Sequence, residues 1–145
     1  MPNVVIDPSF EDTGSSAWTN LGTTGGTVHY QAPSPGARTG LYVARLRSRQ
    51  GFGAFEGSIR QSSLAADPEM QVLSFWRQHV AGVANHVLEI YVDHGDGNLI
   101  KRGELTNAEP LGVWYEYSYV FTAGPSLPQV QFRAVGQAGS LGTAE

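Results

Sequence analysis

Two stretches decide the fold, Val87-Leu88-Glu89-Ile90-Tyr91-Val92 and Gln129-Val130-Gln131-Phe132-Arg133-Ala134. Leu88, Ile90 and Val92 alternate with Val87, Glu89 and Tyr91, and Val130, Phe132 and Ala134 alternate with Gln131 and Arg133. A period of two is the period of a strand, and one apolar face against one polar face belongs to antiparallel sheets. The run 71–78 (QVLSFWRQ) repeats the pattern, with Leu73 and Phe75 on one side and Ser74, Trp76 and Gln78 on the other. In 41–47 (LYVARLR), Leu41, Val43 and Arg45 share a face, with a slip near Leu46 that reads as a bulge. Tyr115, Tyr117, Tyr119 and Phe121 fall on one parity and read mainly as core, leaving Trp114, Glu116, Ser118 and Val120 outside.

The rest of the chain agrees. Its 145 residues suit one domain, and 18 Gly with 8 Pro suit short strands joined by many turns. Asp93-His94-Gly95-Asp96-Gly97-Asn98 reads as a hairpin turn, while 32–36 (APSPG) and 123–128 (AGPSLP) read as loops. The stretch 12–26 is a polar loop in which Trp18 serves as an anchor, and only 62–70 offers a helical turn. These elements predict an all-β fold: an antiparallel two-sheet β-sandwich of about eight or nine strands.

Composition excludes several functions. Charged residues are only 15%, the net charge is −4, and Lys101 is the single lysine, so nucleic acid and anionic membrane are not expected partners. There is no Cys, and no apolar run approaches the length of a membrane helix. Met1 to Asp7 has neither a basic segment nor a long apolar one, so no secretory signal is expected there.

Read in order, Asn3-Val4-Val5-Ile6-Asp7-Pro8-Ser9-Phe10-Glu11, Trp18, Arg38-Thr39-Gly40-Leu41-Tyr42, Leu73-Ser74-Phe75-Trp76-Arg77, Trp114 to Ala123 and Val130 to Ala134 form a pattern. It resembles the jelly-roll carbohydrate-binding modules found beside xylanases, within the galactose-binding-like sandwiches. The resemblance implies a single jelly-roll domain over 1–145. It also implies a last strand ending in an acidic pair, which the tail 136–145 (GQAGSLGTAE) does not supply, so the closing C-terminal strand is expected to be missing. Of the acids the family uses for a structural calcium ion, only Asp7 and Glu11 have counterparts here, and no cofactor is expected.

No nucleophile elbow, phosphate loop or metalloprotease helix is present, so no enzyme is expected. Glu89 and Glu116 are the one candidate carboxylate pair, and both read as solvated. His29, His79, His86 and His94 lack zinc-like spacing, and Asp93, Asp96 and Asn98 read as turn residues. The informative residues are the outward aromatics. Trp76 and Tyr91 would stack on a sugar while Gln78, Gln131 and Arg133 supply hydrogen bonds, all on one sheet face. Two readings remain open. One is a virion component that decorates or cements a phage capsid or tail through protein neighbours, as a homo-oligomer if its edges pair; the missing secretory signal favours it. The other is an extracellular carbohydrate-binding module, accessory to a glycan hydrolase.

Overall fold

In a computed structural model the described residues are 10–13, 17–21, 26–31, 37–50, 55–62, 70–79, 86–93, 98–106, 108–122, 129–136 and 142–144. Asp7, the turn residues 94–97, the loops 32–36 and 123–128, and most of the helical candidate (63–69) lie outside them. The described residues contain strands and no helix, so none is long and apolar enough to cross a membrane. In chain order the strands are β1 (Thr19–Asn20), β2 (Gly26–Gln31), β3 (Tyr42–Leu46), β4 (Ser48–Gln50), β5 (Phe55–Gln61) and β6 (Met70–Gln78). They continue with β7 (His86–Asp93), β8 (Leu99–Thr106), β9 (Trp114–Thr122), β10 (Gln129–Gly136) and β11 (Gly142–Ala144). Eight of these have five residues or more, and β1, β4 and β11 are shorter.

All pairings are antiparallel. The large sheet runs β11-β4-β5-β10-β7-β8, with β1 also on β5, while β2–β3 and β6–β9 form two further ladders. The tail expected to lack a closing strand contributes β11, three residues paired with β4 at one edge of the large sheet.

The core lies between the large sheet and the smaller ladders. Ile59, Ile90, Val92, Val130 and Phe132 come from the large sheet, and Leu73 and Phe121 from β6–β9. Phe132 is the centre: the Phe75 ring meets it edge-on at 4.9 Å and Trp18 lies at 6.3 Å, itself 5.2 Å from Phe10. Trp18 is buried, so the loop anchor is real. Tyr117 and Tyr119 stack on Phe75 at 5.8 and 6.1 Å, and Tyr119, half-buried, packs against the core with it. Each such aromatic pair adds about 0.5–1.5 kcal/mol beyond the area it buries.

One strand is inverted relative to the sequence reading. Ala44 and Leu46 pack against the core, and Leu41 is 62% exposed. Leu41 precedes β3, so an alternation that starts on it begins outside the strand. The expected bulge near Leu46 is displaced too. The register shifts between Thr27 and Tyr30, opposite Arg45 and Val43, which puts the extra residue on β2.

Candidate functional site

The outer face of the large sheet is built by register. Because Ile59, Phe132 and Ile90 point inward, the residues between them point out. Thr19 stands opposite Arg60, Arg60 opposite Gln131, Gln131 opposite Tyr91, and Tyr91 opposite Lys101. Five strands thus contribute one residue each to a row across the sheet, about 19 Å long at the usual strand spacing. The next row holds Ser58, Arg133, Glu89 and Glu104. Ser58, Val87 and Asp93 stand on the outward parity yet are buried, so parts of this face are covered.

Hydrogen bonds hold the rows in place. Gln131 donates from Nε2 to Ser58 Oγ at 2.9 Å. The Tyr91 hydroxyl donates to Glu89 Oε2 at 2.8 Å, and Lys101 Nζ reaches Glu89 Oε1 at 3.2 Å and Glu104 Oε2 at 2.9 Å. Gln129 donates to Asp93 Oδ2 and accepts from the Ser62 hydroxyl, both at 3.3 Å. Burial and the bond to Glu89 push the Tyr91 phenol up, with Arg133 and Lys101 acting the other way. The bonds to Glu104 and Glu89 hold the Lys101 ammonium well above the ordinary lysine value.

Lys101 owes its place to a bulge. In β8 the register shifts so that Ile90 faces Gly103 while Tyr91 faces Lys101, leaving Arg102 as the extra residue. An unbroken strand would put Lys101 and Glu104, three apart, on opposite faces; the bulge puts them on the same one.

The five residues expected on one face are divided between two. Tyr91, Gln131 and Arg133 lie together on the large sheet. Trp76 and Gln78 lie on β6, opposite Glu116 and Trp114 of β9, on the far side of the core. Strand alternation fixes which way a side chain points but not which strands are neighbours, and it was the neighbours that were misassigned. Trp76 is 39% exposed and carries the Arg38 guanidinium 3.8 Å from its ring centroid, while Gln78 donates to the Gly112 carbonyl at 2.9 Å. Exposed Val72 and Val120 make that face partly apolar.

Thr19, Ser58, Arg60, Lys101 and Glu104 were not singled out from the sequence. Ser58-Ile59-Arg60 carries the same polar-apolar-polar signal as Gln131-Phe132-Arg133 and could have been found by it. The candidate carboxylates Glu89 and Glu116 belong to different sheets, and Glu89 instead faces Glu104 with Lys101 on both.

A second polar cluster sits where the β8–β9 connection crosses β6. Arg77 Nη1 donates to the Thr106 carbonyl at 2.8 Å and to Glu109 Oε2 at 3.1 Å, and the Tyr117 hydroxyl donates to Glu109 Oε1. Burial opposes ionisation of Glu109, but the bonds from Tyr117, its own backbone amide and Arg77 outweigh it and hold the carboxyl below its usual value. Burial first, and then the bond to Glu109 and its charge, push Tyr117 up to about 12, with Arg77 acting the other way.

Glu11 spends its carboxylate on the backbone. Its Oε1 accepts from the Leu41 and Tyr42 amides at 3.0 and 2.8 Å, and a Cβ at Gly40 would lie 2.3 Å from the same oxygen. Among the described residues no three His, Asp or Glu side chains are grouped to hold a metal ion. His79 is buried at the end of β6 and neither ring nitrogen has a hydrogen-bond partner.

No protein-family model and no curated protein matches the chain. Among solved structures it is similar to the carbohydrate-binding module TmCBM61 in complex with β-1,4-galactotriose. The TM-score is 0.66 at 19% identity, over 100% of this chain and 95% of that one. It is also similar to the enzymatically active domain of tailspike protein 4 of bacteriophage CBA120, with TM-score 0.58 and 19% identity. That match covers 98% of this chain and 20% of the tailspike chain. At such identities the likeness is one of fold, and it agrees with the strands and core described above: an antiparallel β-sandwich like that of a carbohydrate-binding module.

Proposed function

We propose that this chain is a non-catalytic carbohydrate-binding module that lays a glycan along Thr19, Arg60, Gln131, Tyr91 and Lys101. The observation that carries the reading is the row itself. Donors and acceptors recur once per strand over about 19 Å, and the neighbouring row adds Arg133 and Glu89. A sugar presents an apolar ring face and a rim of hydroxyls, each both donor and acceptor. Tyr91 and the aliphatic stems of Arg60 and Lys101 suit the ring face. The Gln131 amide, the Glu89 carboxylate and the two cations suit the rim. Glu89 and Glu104 both accept from the Lys101 ammonium, which commits these carboxylates to holding the row.

The galactotriose bound by TmCBM61 makes β-1,4-galactan the first probe. In affinity electrophoresis, galactan should retard the wild type, Gln131→Ala and Tyr91→Ala should each lose roughly tenfold in affinity, and Trp76→Ala should match wild type. Loss on Trp76→Ala alone would move the site to β6.

A second reading is favoured by the tailspike similarity: a phage tail-related or capsid-decorating component that meets protein neighbours. It expects no retardation by any polysaccharide and recovery of the chain with intact virus particles.

A further inference from the structure

Resting on the carbohydrate reading above, we propose that this face selects glycans bearing an anionic substituent, a uronic-acid carboxylate or a sulfate, and that Arg60 receives it. Arg60 sits within the row, between Thr19 on β1 and Gln131 on β10, both uncharged. It is half-buried, its Nε is buried without a hydrogen-bond partner, and no described carboxylate pairs with it. Lys101, at the other end of the row, has two carboxylates of its own. A guanidinium drawn partly out of water, with no acceptor among the described residues, is incompletely compensated, and its terminal nitrogens stay open to one. An anionic group on a bound sugar supplies that acceptor, and the planar fork of Arg suits a carboxylate or sulfate better than a hydroxyl.

The rest of the face directs the anion to the same end. Arg133 follows one row on, across the strand pair from Arg60, and lies near enough to act on the Tyr91 phenol. Glu89 and Glu104 at the β7–β8 end repel an anion there. A ligand with one acidic sugar is therefore oriented, its charged residue over β5 and β10 and its neutral residues over β7 and β8.

The test compares the full chain with polygalacturonate, its methyl ester, a sulfated galactan and neutral β-1,4-galactan, by affinity electrophoresis and calorimetry at low salt. The expected result is roughly tenfold tighter binding of one charged polymer than of its neutral counterpart, a ratio that shrinks as salt is added. Preference for polygalacturonate assigns a uronate, and preference for the sulfated polymer assigns a sulfate. Arg60→Gln should bring the ratio to about one. So should Thr19→Glu, which sets a carboxylate directly across from Arg60 at an exposed position and leaves the core alone. Equal affinities in wild type, or a preference surviving both substitutions, overturn the inference and leave the carbohydrate reading standing. Retardation by none of the four overturns both.

Discussion

At the scale of the residue, Gly103 shows how one side chain's absence shapes the core. It faces inward from β8, opposite Ile90, and a Cβ there would lie 2.3 Å from the Tyr119 hydroxyl. The Tyr119 ring is stacked on Phe75 and has little room to retreat. Gly103→Ala should therefore lower stability by about 1–3 kcal/mol, the range for overpacking a core, read as a lower urea midpoint with unchanged slope. Tyr117 and Glu109 make a prediction in pH. Tyr117 titrates at about 12 in the folded chain against 10 when unperturbed, so its contribution is complete below pH 10 and is lost as pH rises through 12. Glu109 is shifted down, so its contribution holds above the ordinary carboxylate range and is lost as pH falls through its lowered value. Tyr117→Phe should flatten the alkaline fall in stability and remove one late phenolate from the ultraviolet titration.

At the scale of the element, alternation was legible and adjacency was not. The inward sets of β6, β7, β9 and β10 follow from the sequence because a half-buried strand repeats every second residue. Trp76 and Tyr91 were joined on one face because nothing local says that β6 pairs with β9 while β7 pairs with β10. Strand order is decided by contacts far apart in the chain, as when Arg133 meets Ser58. Bulges are equally hidden: no turn residue marks Arg102, yet it sets which residues of β8 share a face. This can be tested by deletion. Removing Arg102 should leave Lys101 opposite Tyr91 and retain glycan retardation. Lys101→Ala, which keeps the bulge but takes the cation from that position, should weaken retardation in the same gel. Equal loss in both would show that the bulge itself is needed.

At the scale of the whole molecule, one core supports two outer faces of different chemistry. The large sheet presents interlocked polar rows, and the β6–β9 ladder presents Trp76 under Arg38 beside exposed Val72 and Val120. Composition and turn density made the sandwich legible, since few other architectures hold so many glycines and prolines with so few charges. Which polar residues share an outer face was not legible, because it depends on which sheet each strand joins.

Among the described residues the large sheet ends on the short strands β11 and β1 at one side and on the bulged β8 at the other. A short strand and a kinked one are poor templates for a stranger's backbone. Copies of the chain packed side by side are therefore poorly disposed to zip through these edges into fibrils.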